Sequence, residues 1–261
     1  MGYSDPPGVI SAILIPEFPL PVRYASIAAM RYYPMFLRVE GRPCLVVGGG
    51  EIAERKAATL LDTGARVTVI SPRLTAGLAQ RVAAGELVYL PRPYRSGDLS
   101  GFLLAFAATD DEAVHAQIAC DAEAAGVLLN VVDRPQLCTF IVPSVLTRGD
   151  LVVAVSTGGG SPALARHVRQ RIADTVGPEY ERALVVLARL RERLRDAPLS
   201  AEERRQIFSG LVESELIECV REQDDAAVDR VLARHGVALA VNLSEAGEAT
   251  CPRRPAARGG T

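Results

Sequence analysis

The chain has 261 residues, 49% hydrophobic and 23% charged, with a formal net charge of −2. That length and balance suit a folded chain with a sizeable core and exclude a disordered one. The charge supplies no basic field for gripping nucleic acid, and with no Trp and only 5% aromatic residues no base-stacking platform stands out.

In chain order, residues 10–22 (ISAILIPEFPLPV) are apolar but interrupted by Pro16, Glu17, Pro19 and Pro21. No positive segment precedes them, which argues against a signal peptide. Residues 1–29 are expected to be an N-terminal extension. From Cys44 on, short apolar runs alternate with helical periodicity. CLVVG (44–48) predicts a buried strand, and IAERKAATLLDTG (52–64) a helix with Ile52, Ala53, Ala57, Leu60 and Leu61 on its buried face. Strands follow at 66–70, 86–90, 102–109 and 127–132, with helices at 78–85 and 112–126. Strands apolar on both sides, alternating with helices, are the signature of a doubly wound parallel sheet. The rhythm then changes: 137–146 and 150–156 are strand-like with no helix between them, so they leave the parallel sheet. Ser161 and Pro162 open a helix that Gly177-Pro178 breaks, a second helix spans 179–195, and SAEE (200–203) predicts a capping box. The last residues, CPRRPAARGGT, read as a disordered tail. No run approaches the ~20 apolar residues of a membrane span.

Three stretches carry chemistry. GGGEIA (48–53) fits G-x-G-x-x-A after a strand and before a helix. Its glycines allow a tight turn and the approach of a pyrophosphate to the backbone, and the helix N-terminus favours the phosphates. The acidic residue expected at the end of the second strand for a ribose is missing; Ser71-Pro72-Arg73 stands there. Ser71 suits a ribose hydroxyl and Arg73 a 2′-phosphate, so these residues alone leave NADP open. Thr109 and Asp110 follow the fourth strand and should face the crevice, while Asp111 and Glu112 favour the next helix N-terminus. Asp133 ends the fifth strand, where a general base or a substrate-orienting carboxylate belongs. STGGGSPALAR (156–166) offers backbone N–H groups to carboxylates. The five cysteines are scattered and odd in number and the three histidines form no ligand-spaced cluster, which predicts a reduced, cytoplasmic protein without a prebuilt metal site. Lys56 is the sole lysine, a bias towards Arg rather than an anion-binding signal.

Residues 30–74, AATDDEAVH (107–115), NVVDRPQLCTFIVPS (130–144) and RGDLVVAVSTGGGSPALARHVR (148–169) together resemble the precorrin-2 dehydrogenase / sirohydrochlorin ferrochelatase family, the stand-alone counterpart of the N-terminal module of siroheme synthase. The likeness runs over about residues 30 to 200. It implies an α/β fold with a Rossmann domain over 30–142, a dimerisation region over 143–160, a helical region over 161–240 and a tail over 241–261. It implies a cytoplasmic homodimer that uses NAD, with NADP second, to oxidise precorrin-2 to sirohydrochlorin, and in some members inserts Fe²⁺ as a substrate. Asp133 falls on the family's key carboxylate. The cofactor residues implied are Gly48, Gly49, Gly50, Glu51, Ile52, Ser71, Pro72, Arg73, Thr109 and Asp110. Those for the tetrapyrrole are Asn130, Ser156, Thr157, Gly158, Gly159 and Ser161. His115 departs from the Asn expected there and reads as a surface change near the crevice. No partner nucleic acid or membrane is implied. Two other readings compete: an NAD-binding regulatory module without catalysis, and a carrier that binds sirohydrochlorin without turnover.

Overall fold

A computed structural model describes residues 31–237. The expected extension (1–29) and tail (241–261) lie outside the described residues, as do Cys251 and the last residues of the expected helical region. The chain divides at Met35–Phe36 into two units, and every assigned element belongs to the second.

Five parallel strands form the main sheet: β1 (Pro43–Val47), β2 (Arg66–Ile70), β3 (Val88–Leu90), β4 (Leu104–Ala107) and β5 (Leu128–Val131), in the order β3-β2-β1-β4-β5. Helices α1 (Glu51–Asp62), α2 (Ala76–Ala83) and α3 (Glu112–Ala125) connect them. The side chains of β1 alternate between two cores. Cys44 and Val46 pack with Ala53, Ala57 and Leu60 of α1 and Leu78 of α2, while Leu45 and Val47 pack with Ile118 and Ala122 of α3. A strand covered on both faces needs such an unbroken apolar run. The strand order reverses between β1 and β4, so a crevice opens beyond their carboxyl ends.

Three expectations are corrected. The second helix begins at Ala76 rather than Leu78, because the Thr75 hydroxyl caps it by accepting from Leu78 N. β5 is an edge strand rather than one buried on both faces: Leu129 and Val131 are buried, Leu128 and Asn130 only partly. Its open side is closed by residues 138–140. Thr139 N donates to Leu129 O (2.8 Å), Leu129 N donates to Thr139 Oγ1 (2.7 Å), and Val131 N donates to Cys138 Sγ (3.2 Å). Side chains here do what a sixth strand would do. Of the expected strand over 137–146, residues 137–143 are therefore no strand; a 3₁₀ turn (Pro135–Leu137) leads to irregular chain, and β6 (Ser144–Arg148) starts only past Pro143, which has no N–H to give a ladder.

β6 pairs antiparallel with β7 (Leu151–Val155) in a separate two-stranded sheet. After it come α4 (Pro162–Ala173), α5 (Glu179–Arg195), α6 (Ala201–Glu213), α7 (Leu216–Arg221) and α8 (Asp225–Arg234). The Ser161 hydroxyl caps α4, and both bonds of the Ser200/Glu203 capping box open α6. Helices α5 to α8 share a third core that includes Val186, Leu190, Leu211, Leu216, Val228 and Leu232. Among the described residues no helix is long and apolar enough to cross a membrane, and no group of three or more His, Cys, Asp or Glu side chains is placed to hold a metal ion.

Candidate functional site

At the end of β1 the chain turns through three glycines into α1. Gly48 has φ +122°, and a Cβ on it would lie 2.1 Å from the Ala108 carbonyl oxygen. A Cβ on Gly49 would lie 1.9 Å from the Arg73 carbonyl oxygen. These two glycines are demanded by the backbones that leave β4 and β2. Gly50 is different: nothing lies within 4 Å of its missing Cβ, and its backbone faces open space. As the N-cap of α1 it supplies no side-chain acceptor to the first-turn N–H groups, which leaves donors free for an anion.

That space is a trough of about 720 Å³ bounded by Gly48–Ile52, Ser71–Thr75 and Ala108–Asp110. All the residues implied for the cofactor line it. Ser71 is corrected in detail. It is buried, and its hydroxyl donates to Arg73 O at 2.7 Å, so that proton holds the turn and is not free for a ribose. Ile52 is corrected too: it is 37% exposed rather than on the buried face of α1, and it borders the trough.

A second cleft, also about 720 Å³, lies between the end of β5 and the loop that enters α4. It is lined by Asn130–Pro135, Ile141–Ser144, Val155–Thr157, Gly159 and Arg166, and from α1 by Ile52, Arg55 and Lys56. Of the residues implied for a tetrapyrrole, Asn130, Ser156, Thr157 and Gly159 border it, whereas Gly158 and Ser161 do not. Several of these side chains are committed locally. The Asn130 amide donates to Phe140 O (3.0 Å), Thr157 Oγ1 donates to Ser161 O (3.0 Å), and Ser156 Oγ accepts from Gly158 N (3.1 Å). The loop is thus tied in shape by its own hydroxyls.

In the sequence Lys56 reads as a bias towards Arg, and neither Arg55 nor Arg134 stands out. Arg55, Lys56, Arg134 and Arg166 line the cleft together with Asp133, the one acid in its wall among the described residues. The Lys56 ammonium sits 5.0 Å above the Phe106 ring, and burial, helped by Arg55, lowers its pKa from the ordinary lysine value. A spacing signal existed: Ile52, Arg55 and Lys56 fall three and four residues apart, on adjoining faces of one helix.

A small chamber of about 250 Å³ joins the two larger spaces. It shares Ile52, Ala108, Thr109 and Asp110 with the trough and Ile52, Val132, Asp133 and Arg134 with the cleft, and adds Glu112 and His115. Asp133 is exposed and has φ +58°, one of two non-glycine residues with positive φ among the described ones. Arg134 pairs with Glu112, and Asp111 caps α3 by accepting from Ala113 N (2.9 Å). The expectation for His115 as a surface change is overturned: it is 6% exposed, on the inner face of α3, and borders the chamber.

An NAD(P)-binding family matches residues 35–144, and the family described as sirohaem biosynthesis protein central matches residues 148–175. The siroheme synthase of Methylobacillus flagellatus is 40% identical over 211 residues, which is 79% of this chain and 45% of that protein. Both the matched family and this relative make the chain similar to sirohaem biosynthesis proteins. The siroheme synthase of Pseudomonas aeruginosa strain LESB58 is 39% identical over 206 residues, covering 79% of this chain and 44% of its own. The chain therefore spans a little under half the length of the curated relatives it matches. In fold it is similar to the solved structure of SirC, a precorrin-2 dehydrogenase, with TM-score 0.66 and 23% identity, over 78% of this chain and 99% of that one.

Proposed function

We propose that this chain oxidises precorrin-2 to sirohydrochlorin with NAD as hydride acceptor. The observation that carries the reading is the chamber at Asp133, which joins a glycine-walled trough to a cleft rimmed by four cations. Precorrin-2 carries eight carboxylates, and Arg55, Lys56, Arg134 and Arg166 supply charge-assisted bonds to such a substrate. The free N–H groups at the start of α1 and the bare face of Gly50 fit a pyrophosphate. Bound there, the oxidised nicotinamide supplies the hydride acceptor. Asp133, on the rim of both spaces, holds or removes the proton lost from the macrocycle.

NAD comes ahead of NADP in this reading. The charged side chains of the trough are Glu51, Asp110 and Arg73, a balance that gives an extra phosphate no net attraction. The protein acts as a cytoplasmic homodimer. The contact is assigned to residues 143–160, where the β6–β7 pair exposes Val145 (43%) and neighbours the exposed Val142 and Leu164.

The test is an anaerobic assay with precorrin-2 and either NAD⁺ or NADP⁺, followed by addition of Fe²⁺. NAD⁺-dependent growth of the sirohydrochlorin spectrum is expected. Binding of the tetrapyrrole without turnover by either cofactor would instead make the protein a carrier. Loss of the sirohydrochlorin spectrum on adding Fe²⁺, faster than without protein, would assign metal insertion to the same cleft.

A further inference from the structure

His115 is buried on α3, and neither of its ring nitrogens has a hydrogen-bond partner. Leaving such groups unmet is costly. An orphan of this kind in a native chain calls for an explanation, such as strain, a catalytic role, or a water or ligand that completes it. The ring borders the small chamber between the trough and the Asp133 rim. A dinucleotide whose pyrophosphate lies on Gly48–Gly50 and whose reacting end lies near Asp133 brings its nicotinamide ring into that chamber. The ring's carboxamide has a carbonyl acceptor and an NH₂ donor, while a neutral imidazole has one donor and one acceptor, so either nitrogen finds a complement.

We infer that His115 is the residue that reads the nicotinamide carboxamide, and that the chamber seats the ring. Both nitrogens are closed to solvent, so engagement goes with a rotation of the imidazole, the scale of change side chains commonly make on binding. Asp110 and Asp133 on the chamber wall favour the positively charged oxidised ring over the neutral reduced one. Glu112 contributes less, because Arg134 pairs with it. The inference rests on the proposed use of a nicotinamide dinucleotide.

Calorimetric titrations of NAD⁺ and ADP-ribose into wild-type protein, His115→Leu and His115→Asn test it without any turnover. One lost hydrogen bond corresponds to about 3–10-fold in affinity. His115→Leu should weaken NAD⁺ by that factor, leave ADP-ribose unchanged, and keep or raise the melting temperature of the free protein, since an unmet polar ring is gone. His115→Asn should hold NAD⁺ close to the wild-type affinity. Equal weakening of both ligands, or a lower melting temperature in His115→Leu, would make His115 a structural residue and overturn the inference. A measurement on the wild type avoids any folding defect: a dinucleotide with plain pyridine for nicotinamide should bind about 3–10-fold more weakly than NAD⁺, and equal affinity overturns the inference. If the wild type binds neither NAD⁺ nor ADP-ribose, the dinucleotide reading itself fails, an outcome distinct from the others.

Discussion

Asp133 sits at the lip of an apolar strand in a left-handed backbone conformation, φ +58°. Asn and Asp tolerate that region better than most non-glycine side chains, so the turn favours this residue type and the proposed proton chemistry makes a second demand on it. The two demands separate by substitution. Asp133→Asn keeps the turn, so its melting temperature should match the wild type while turnover falls by about 10²–10⁴-fold. Asp133→Ala should lose turnover and about 1 kcal/mol of stability as well. The glycines separate in the same way. Gly48→Ala puts a Cβ 2.1 Å from a carbonyl oxygen at φ +122° and should cost about 2–4 kcal/mol in denaturant unfolding. Gly50→Asp meets no atom within 4 Å, so the protein should fold normally while NAD⁺ affinity collapses, because a carboxylate then faces the pyrophosphate. Glu179, almost fully buried at the start of α5, follows a different logic. Burial alone would raise its pKa, but the backbone N–H groups of Glu179 itself and Gly177, together with Arg221 3.0 Å away, outweigh that and hold it below the ordinary glutamate value. A depressed folded pKa stabilises above the unfolded value, about 4.3, and that stabilisation is lost as pH falls through the folded one. Urea melts should therefore show Glu179→Gln less stable than wild type at pH 7, with the gap closing towards pH 3.

At the scale of elements, the α6 start shows how local rules survive in the fold. Ser200 accepts from Glu203 N (3.1 Å) and Glu203 returns the bond to Ser200 N (2.7 Å). Ser200→Ala should cost about 1 kcal/mol by denaturant unfolding, and Ser200→Thr should recover most of it. The edge of β5 shows where local rules fall short. Its hydrophobic run read as a strand covered on both faces, but what packs on each face and what pairs with its edge are set by distant segments, and here Cys138 and Thr139 meet the edge through side-chain bonds. Thr139→Val should leave Leu129 N without its acceptor and lower the melting temperature, whereas a Thr139→Ser variant should not.

For the whole molecule the β6–β7 pair is the element that a single chain explains least. A two-stranded ribbon is marginal alone, and among the described residues this one has no further strand at either edge, with an exposed Val145 beside α4. The proposed dimerisation through it would account for both features. Sedimentation should show a dimer for wild type and a monomer for Val145→Asp.

The elements of the sheet, the glycine turn, the caps of α4 and α6 and the span of α5 were legible in the sequence. Each depends on residues within a few positions of one another: apolar periodicity, Ser–Pro and Ser–x–x–Glu spacing, glycines between strand and helix. So was the placement of Asp133 beside a cleft, because strand ends in a doubly wound sheet share one side. Only the tertiary structure decided that Arg55, Lys56, Arg134 and Arg166, from α1, the β5 turn and α4, meet around one cleft. It alone turned the Ser71 hydroxyl inward and buried His115 without a partner at the chamber. Charge convergence and burial depend on packing between distant segments, and no periodicity along a single segment records them.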